Sequence, residues 1–180
     1  MKTTRNKRTN LVHSGNRRSQ YNEVSEAIFL TQSYVYETAE DAEKRFSEDI
    51  PKDRFIYTRY GNPTIAMFED KIATLEGAEA AFATASGMAA VNGALMSVLS
   101  SGDHVVAARA LFGSCLYILE KILPSFGVKV TFVDGTDIDQ WKGAITPQTN
   151  VVFFESISNP TLEVIDIKAC LLYTSPSPRD

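Results

Sequence analysis

The chain has 180 residues, 44% of them hydrophobic and 22% charged, with a formal net charge of -4, a composition that suits a globular domain and excludes collagen-like, disulfide-scaffold and disordered classes. Charge is uneven: Lys2, Arg5, Lys7, Arg8, Arg17 and Arg18 stand at the start without an acid, which leaves 12 basic side chains against 22 acidic ones for the rest. The longest apolar stretch, Val91 to Leu99, is broken by Asn92, Gly93 and Ser97 and falls far short of the roughly 18 apolar residues of a membrane span.

The basic start lacks an apolar helical stripe and interleaved aromatics, so it reads as a solvated arm, not as a nucleic-acid arm or an organellar presequence. It has no apolar segment of signal-peptide type. Cys115 and Cys170 form no metal spacing and no disulfide framework, which suits a reducing cytoplasm. His13 and His104 stand far apart, and no metal site is expected.

In chain order, residues 1 to about 25 are polar and without periodicity, and Ala27 to Tyr36 is a β-branched and aromatic stretch that could be extended. Ala39 to Phe46 reads as a short helix, with Glu40 and Asp41 early and Lys44 and Arg45 late, as the helix dipole prefers. Pro51 to Pro63 is an aromatic and polar loop. Asn62-Pro63 then opens a helix, because Asn caps free amides and proline costs nothing at the first helical position. Ile65, Phe68, Ile72 and Leu75 recur at helical spacing up to Gly77. Ala78 to Thr84 is a short apolar run, and Ser86 caps a second helix through about Leu99. After the turn Ser101-Gly102-Asp103, strands are expected at Val105 to Ala108, Lys129 to Val133 and Val151 to Glu155. Helices at Ser114 to Phe126 and Asp137 to Ile145 separate them. Alternating strands and helices imply crossover connections and a mostly parallel sheet, so the body from about residue 64 is α/β.

In such a sheet ligands bind beyond the carboxyl ends of the strands. Thr84-Ala85-Ser86-Gly87-Met88 sets a glycine where a helix begins, so that backbone amides can approach an anion such as a phosphate; the plainer reading is an N-cap followed by a turn residue. Tyr57-Thr58-Arg59-Tyr60-Gly61-Asn62-Pro63 offers an Arg between aromatics, either a phosphate grip or a surface loop with one salt-bridged Arg. Glu155-Ser156-Ile157-Ser158-Asn159-Pro160 follows an apolar strand, as a site loop or as a solvated turn.

Together and in this order, YTRYGNPT, ATASGMAA, GDHVVAARALFGS and ESISNPTLE resemble the cystathionine gamma-synthase group of pyridoxal-phosphate enzymes of cysteine and methionine metabolism. The similarity runs from about Thr9 to Ala169. Within the group, SEAIFLTQSYVY and RALFGSC look most like the O-succinylhomoserine sulfhydrylases, which form homocysteine by gamma-replacement with sulfide. The resemblance implies the amino-terminal part of an aspartate-aminotransferase-like (type I) large domain. Residues 1–63 would be an arm and inter-subunit cofactor loop, and 64–169 part of the cofactor-binding domain.

Carried over by position, the resemblance implies that the amides of Gly87 and Met88, with Ser86 at the cap, hold the phosphate of pyridoxal 5'-phosphate. Tyr57 and Arg59 would reach the same phosphate in a neighbouring subunit, which makes a homodimer necessary and a tetramer the usual assembly. Phe112 occupies the place of a stacking aromatic that is commonly Tyr; it can stack but cannot carry a proton. Asn159 matches the asparagine that bonds the cofactor's phenolic oxygen, and Glu155 lies beside it without an assigned role. None of the lysines stands in the family's SxTK setting, so no Schiff-base lysine is assigned and no turnover is expected of these 180 residues. Cys170 to Asp180, CLLYTSPSPRD, resembles translated sequencing-library adapter, from which the natural chain is expected to stop near Ala169. Alternatives are a cystathionine gamma-synthase or gamma-lyase and, from another class, a non-catalytic α/β phosphate-binding domain.

Overall fold

The structure is a computed structural model that describes residues 6–47 and 55–174, with side chains described through Cys170. Lys2 and Arg5 of the basic start, residues 51–54 of the expected loop and residues 175–180 of the adapter-like run lie outside the described residues. The chain divides into two units, Met1–Ala83 and Thr84–Asp180.

The first unit is helical with long irregular connections. Helix α1 (Lys7–His13) lies in the stretch expected to be a plain arm. Asn6 starts it by accepting the Arg8 N–H at 2.7 Å, a cap that outweighs the missing apolar stripe. Helix α2 (Ala39–Ser47) forms where its charge order places it. Helix α3 (Pro63–Glu76) opens on the Asn62 cap and closes on Gly77 at φ 67°, a left-handed turn that glycine adopts without steric cost.

The repeat of Ile65, Phe68, Ile72 and Leu75 marks this helix without marking its buried side. Ile65 and Phe68 are exposed, and α3 buries Met67 and Ala73 instead. The reason is the segment laid against α3: at Gly15 an added Cβ would come within 2.5 Å of the Met67 carbonyl, so chain and helix touch backbone to backbone on the Met67 side. The Ala27–Tyr36 stretch joins no sheet and makes one isolated antiparallel bridge, Ser33 to Tyr57. Ala78 to Thr84 likewise forms no strand; the Ala83 N–H donates to Glu69 Oε1 at 2.7 Å.

The second unit is the α/β body. After α4 (Gly87–Val98), strands β1 (His104–Ala108), β2 (Lys129–Val133) and β3 (Thr149–Phe153) form a parallel sheet in the order β2-β1-β3. Every β1 residue is buried, as befits a central strand with cover on both faces. The β1–β2 crossover runs through α5 (Gly113–Tyr117), a π turn (Ile118–Ile122) and α6 (Leu123–Ser125). A single regular helix is expected there, but Pro124 has no N–H and would clash with the carbonyl four residues back. The Leu123 N–H accordingly bonds the Ile118 carbonyl, one residue further than in an α-helix.

Helix α7 (Ile138–Ala144) returns the chain to β3, with Asp137 as its cap. Its Trp141 is fully buried and donates from Nε1 to the Gly135 carbonyl at 3.0 Å. His104 is buried at the amino end of β1, its Nδ1 2.9 Å from Thr149 Oγ1 and its Nε2 2.9 Å from Thr131 Oγ1. It is a structural histidine whose ring nitrogens both find partners. Helix α8 (Ile167–Thr174) enters the adapter-like run, and Cys170 on it is buried. Among the described residues, no helix is long and apolar enough to cross a membrane.

Candidate cofactor site

The site builds up at the carboxyl end of the sheet, from loops that the strand order brings together. At the start of α4 the Ser86 side chain accepts the Ala89 N–H at 3.1 Å, while Thr84 Oγ1 donates to the Ser86 carbonyl at 2.8 Å. Gly87 and Met88 are the first two helical residues, so their N–H groups point out of the helix end with no carbonyl one turn back to accept them. Gly87 is exposed, and a Cβ there would meet nothing within 4 Å. No acid stands in the first turn, which keeps the positive end of the helix dipole available to an anion.

The loop after β1 lies next to this turn. Met88 and Ala89 share a cleft of about 470 Å³ with Gly113, Ser114, Tyr117 and Ile118. Phe112 immediately precedes that wall and is 43% exposed, an aromatic side chain at the surface beside the cleft that can offer stacking area.

The loop after β3 is joined to the loop after β1 by one side chain. Glu155 Oε1 accepts the Phe112 N–H at 2.8 Å, and Glu155 Oε2 accepts the Asn159 N–H at 2.9 Å. Asn159 is itself exposed. It sits on a turn organised by Ser158, which is 1% exposed. Ser158 Oγ accepts the Glu163 N–H at 2.8 Å and shares a hydrogen bond with Thr161 Oγ1 at 2.6 Å. Beneath the Phe112 loop, burial first and the Glu155 charge second push the Cys115 thiol above its ordinary range. A protonated thiol of this kind is a packing group, not a nucleophile.

Sequence reasoning therefore locates Ser86, Gly87, Met88, Phe112 and Asn159 in one unit, on loops at one end of one sheet. It names Glu155 and Ser158 in the loop after the third strand but gives neither a role. Both act through hydrogen bonds to distant or irregular backbone, which no periodicity reports.

Tyr57 and Arg59 belong to the first unit. The Tyr57–Gly61 turn is held by the Tyr60 and Gly61 N–H groups, both donating to the Tyr57 carbonyl. The Arg59 guanidinium stands 5.5 Å from the Tyr57 ring centre and 5.3 Å from that of Tyr60. Tyr57, Arg59 and Tyr60 are all exposed, so the guanidinium is poised by aromatic contacts. The salt-bridged alternative finds no carboxylate partner for it among the described residues. A larger cleft of about 600 Å³ in the same unit is lined by Gly15, Arg17, Phe55, Tyr60, Glu69 and Asp70, among others. Its Arg17 pairs with Asp70 at 2.8 Å, so that cation is already committed.

Residues 8–175 match the profile of the Cys/Met metabolism PLP-dependent enzymes. Over 158 residues the chain is 50% identical to the O-succinylhomoserine sulfhydrylase of Mycobacterium tuberculosis, covering 88% of this chain and 38% of that protein. It is 39% identical over 171 residues to an L-methionine gamma-lyase of Fusobacterium nucleatum subsp. polymorphum, covering 94% and 43%. Among solved structures it superposes with a TM-score of 0.83 and 31% identity on a Campylobacter jejuni protein described as an O-acetylhomoserine (thiol)-lyase, covering 92% of this chain and 40% of that one. That protein was solved with N'-pyridoxyl-lysine-5'-monophosphate. The chain thus spans about two fifths of the length of these relatives.

Proposed function

Because the chain belongs to the Cys/Met metabolism PLP-dependent enzymes, we propose that it forms the phosphate-holding face of an enzyme that converts O-succinylhomoserine and sulfide to homocysteine and succinate. The observation that carries the choice of reaction is the 50% identity to a sulfhydrylase of that substrate. The residues present fit the cofactor. The open amides of Gly87 and Met88 take its phosphate in a turn where nothing crowds a bound anion. The Ser86 cap keeps that turn in shape. The exposed ring of Phe112 supplies a stacking surface, and the side-chain amide of Asn159 supplies a donor for a phenolic oxygen.

Pyridoxal phosphate, when bound, supplies an electron sink that lets protons leave carbons near the substrate amino group. Phe112 has no hydroxyl, so it orients and excludes water but moves no proton. Tyr57 and Arg59 reach the phosphate held by a second copy of the chain, which makes the working unit a homodimer or a tetramer built from two. The lysine that carries the cofactor is not among these residues, since none stands in an SxTK setting. A cytoplasmic setting suits a sequence whose two cysteines show no disulfide-framework spacing.

A second reading, elimination instead of replacement, draws on the 39% identity to a methionine gamma-lyase. The absent Phe112 hydroxyl weighs against it. An assay of the gene's full product with O-succinylhomoserine decides. Homocysteine formed from sulfide supports the proposed reaction, cystathionine formed from cysteine contradicts sulfide as the nucleophile, and keto-acid release without added thiol contradicts replacement.

A further inference from the structure

Two loops that the proposed function draws on meet at one carboxylate. The Phe112 N–H donates to Glu155 Oε1 at 2.8 Å and the Asn159 N–H donates to Glu155 Oε2 at 2.9 Å. One partner is 43 residues away in sequence and the other only four, so the contact joins separate loops and is more than a local turn. Phe112 stands at the N-cap of α5 with no side-chain acceptor of its own. Its loop is therefore fixed from outside the helix. We infer that Glu155 is a positioning residue, whose paired oxygens set the Phe112 ring and the Asn159 side chain at a fixed separation across the mouth of the site. This rests on the reading that the site holds pyridoxal phosphate.

The chemistry requires a carboxylate. Two backbone donors converge, and an ionised carboxylate is all acceptor, with room for both. A glutamine offers one oxygen and turns an NH₂ toward the second donor. An aspartate is one methylene shorter and cannot span the two amides from the same backbone position. Bonds to a charged acceptor are also the stronger kind.

Amide hydrogen exchange on the ¹⁵N-labelled full chain, combined with a titration by pyridoxal 5'-phosphate followed by its absorbance and ³¹P shift, tests the inference. In the wild type both the Phe112 and Asn159 amides should exchange slowly. Glu155→Gln should release one of them and Glu155→Ala both. Both variants should bind pyridoxal phosphate about ten-fold more weakly, the order expected for losing a charge-assisted bond. The absorbance change from stacking on Phe112 should shrink, while the phosphate signal still shifts at saturation. Fast exchange of either amide in the wild type overturns the bridge without any variant having to fold. Unchanged affinity and absorbance in Glu155→Gln, with an amide released, overturns the positioning role and leaves only a loop contact. If the wild type binds no pyridoxal phosphate, the reading of the site falls, and Glu155's role toward the ligand with it, whatever the amides do.

Discussion

Ser86 accepts the Ala89 N–H at 3.1 Å and in doing so leaves the two preceding amides, those of Gly87 and Met88, at the open end of α4. Anion affinity and helix stability can therefore be separated by one substitution. Gly87→Asp places a carboxylate where the phosphate is to sit, yet an acid in a first turn favours the helix by about 0.3–1 kcal/mol. Pyridoxal phosphate affinity should fall at least about ten-fold, equivalent to ~1.4 kcal/mol, with a denaturation midpoint no lower than that of the wild type. A drop in both would mean the turn is held by something other than its cap.

Asn62 performs the corresponding task in the first unit. It is buried, accepts the Thr64 N–H at 2.9 Å and donates to the Phe29 carbonyl at 3.0 Å. It thus caps α3 and pins the extended stretch to it. Asn62→Ala should cost about 1–3 kcal/mol, from a lost cap and a carbonyl left without its partner. Hydrogen exchange should speed up at Phe29, whose N–H bonds Thr64 Oγ1 at the same helix start. Urea denaturation and exchange on one sample check both.

Much of this arrangement is legible in the sequence because its causes are local. Asn62-Pro63, Ser86-Gly87 and Asp137 announce helix starts by the hydrogen bonds their side chains make within three residues. The three strands are short apolar runs bounded by turns, and all three form within two residues of the expected limits. What escapes is set by distance or by competition. α1 has no apolar stripe and depends on Asn6. The Ile65 and Phe68 spacing shows that α3 is a helix but not which side it buries, which is set where Gly15 meets the Met67 backbone. The role of Glu155 depends on Phe112, 43 residues away.

Trp141 anchors α7 to the sheet's carboxyl end. Its ring is fully buried against Phe154, with centroids 6.1 Å apart, and its Nε1 holds the Gly135 carbonyl. Trp141→Ala should cost about 3–5 kcal/mol through the cavity it leaves. Trp141→Phe keeps most of the volume and leaves the Gly135 carbonyl unpaired, for about 1–3 kcal/mol. Chemical denaturation of the two variants should rank them in that order.

Burial chiefly, with the Glu155 charge adding, raises the Cys115 thiol; burial chiefly, with Asp166 adding, raises that of Cys170. A folded-state pKa above the unfolded value means the protonated thiol favours the fold. That contribution is complete below the ordinary thiol range and is lost as pH rises through the raised values. Denaturation midpoints should fall from neutral into alkaline solution, with a shallower fall in Cys115→Ala. Alkylation of Cys115 near neutrality should be slow.

The most direct measurement is a titration of the ¹⁵N-labelled chain with pyridoxal 5'-phosphate, read at each backbone amide. The expected result is that Gly87 and Met88 shift furthest, that inorganic phosphate moves the same pair, and that Gly87→Asp abolishes both responses. Saturable binding that leaves those two amides still, or shifts concentrated around Arg17 and Phe55 in the first unit, would contradict a phosphate held at the start of α4.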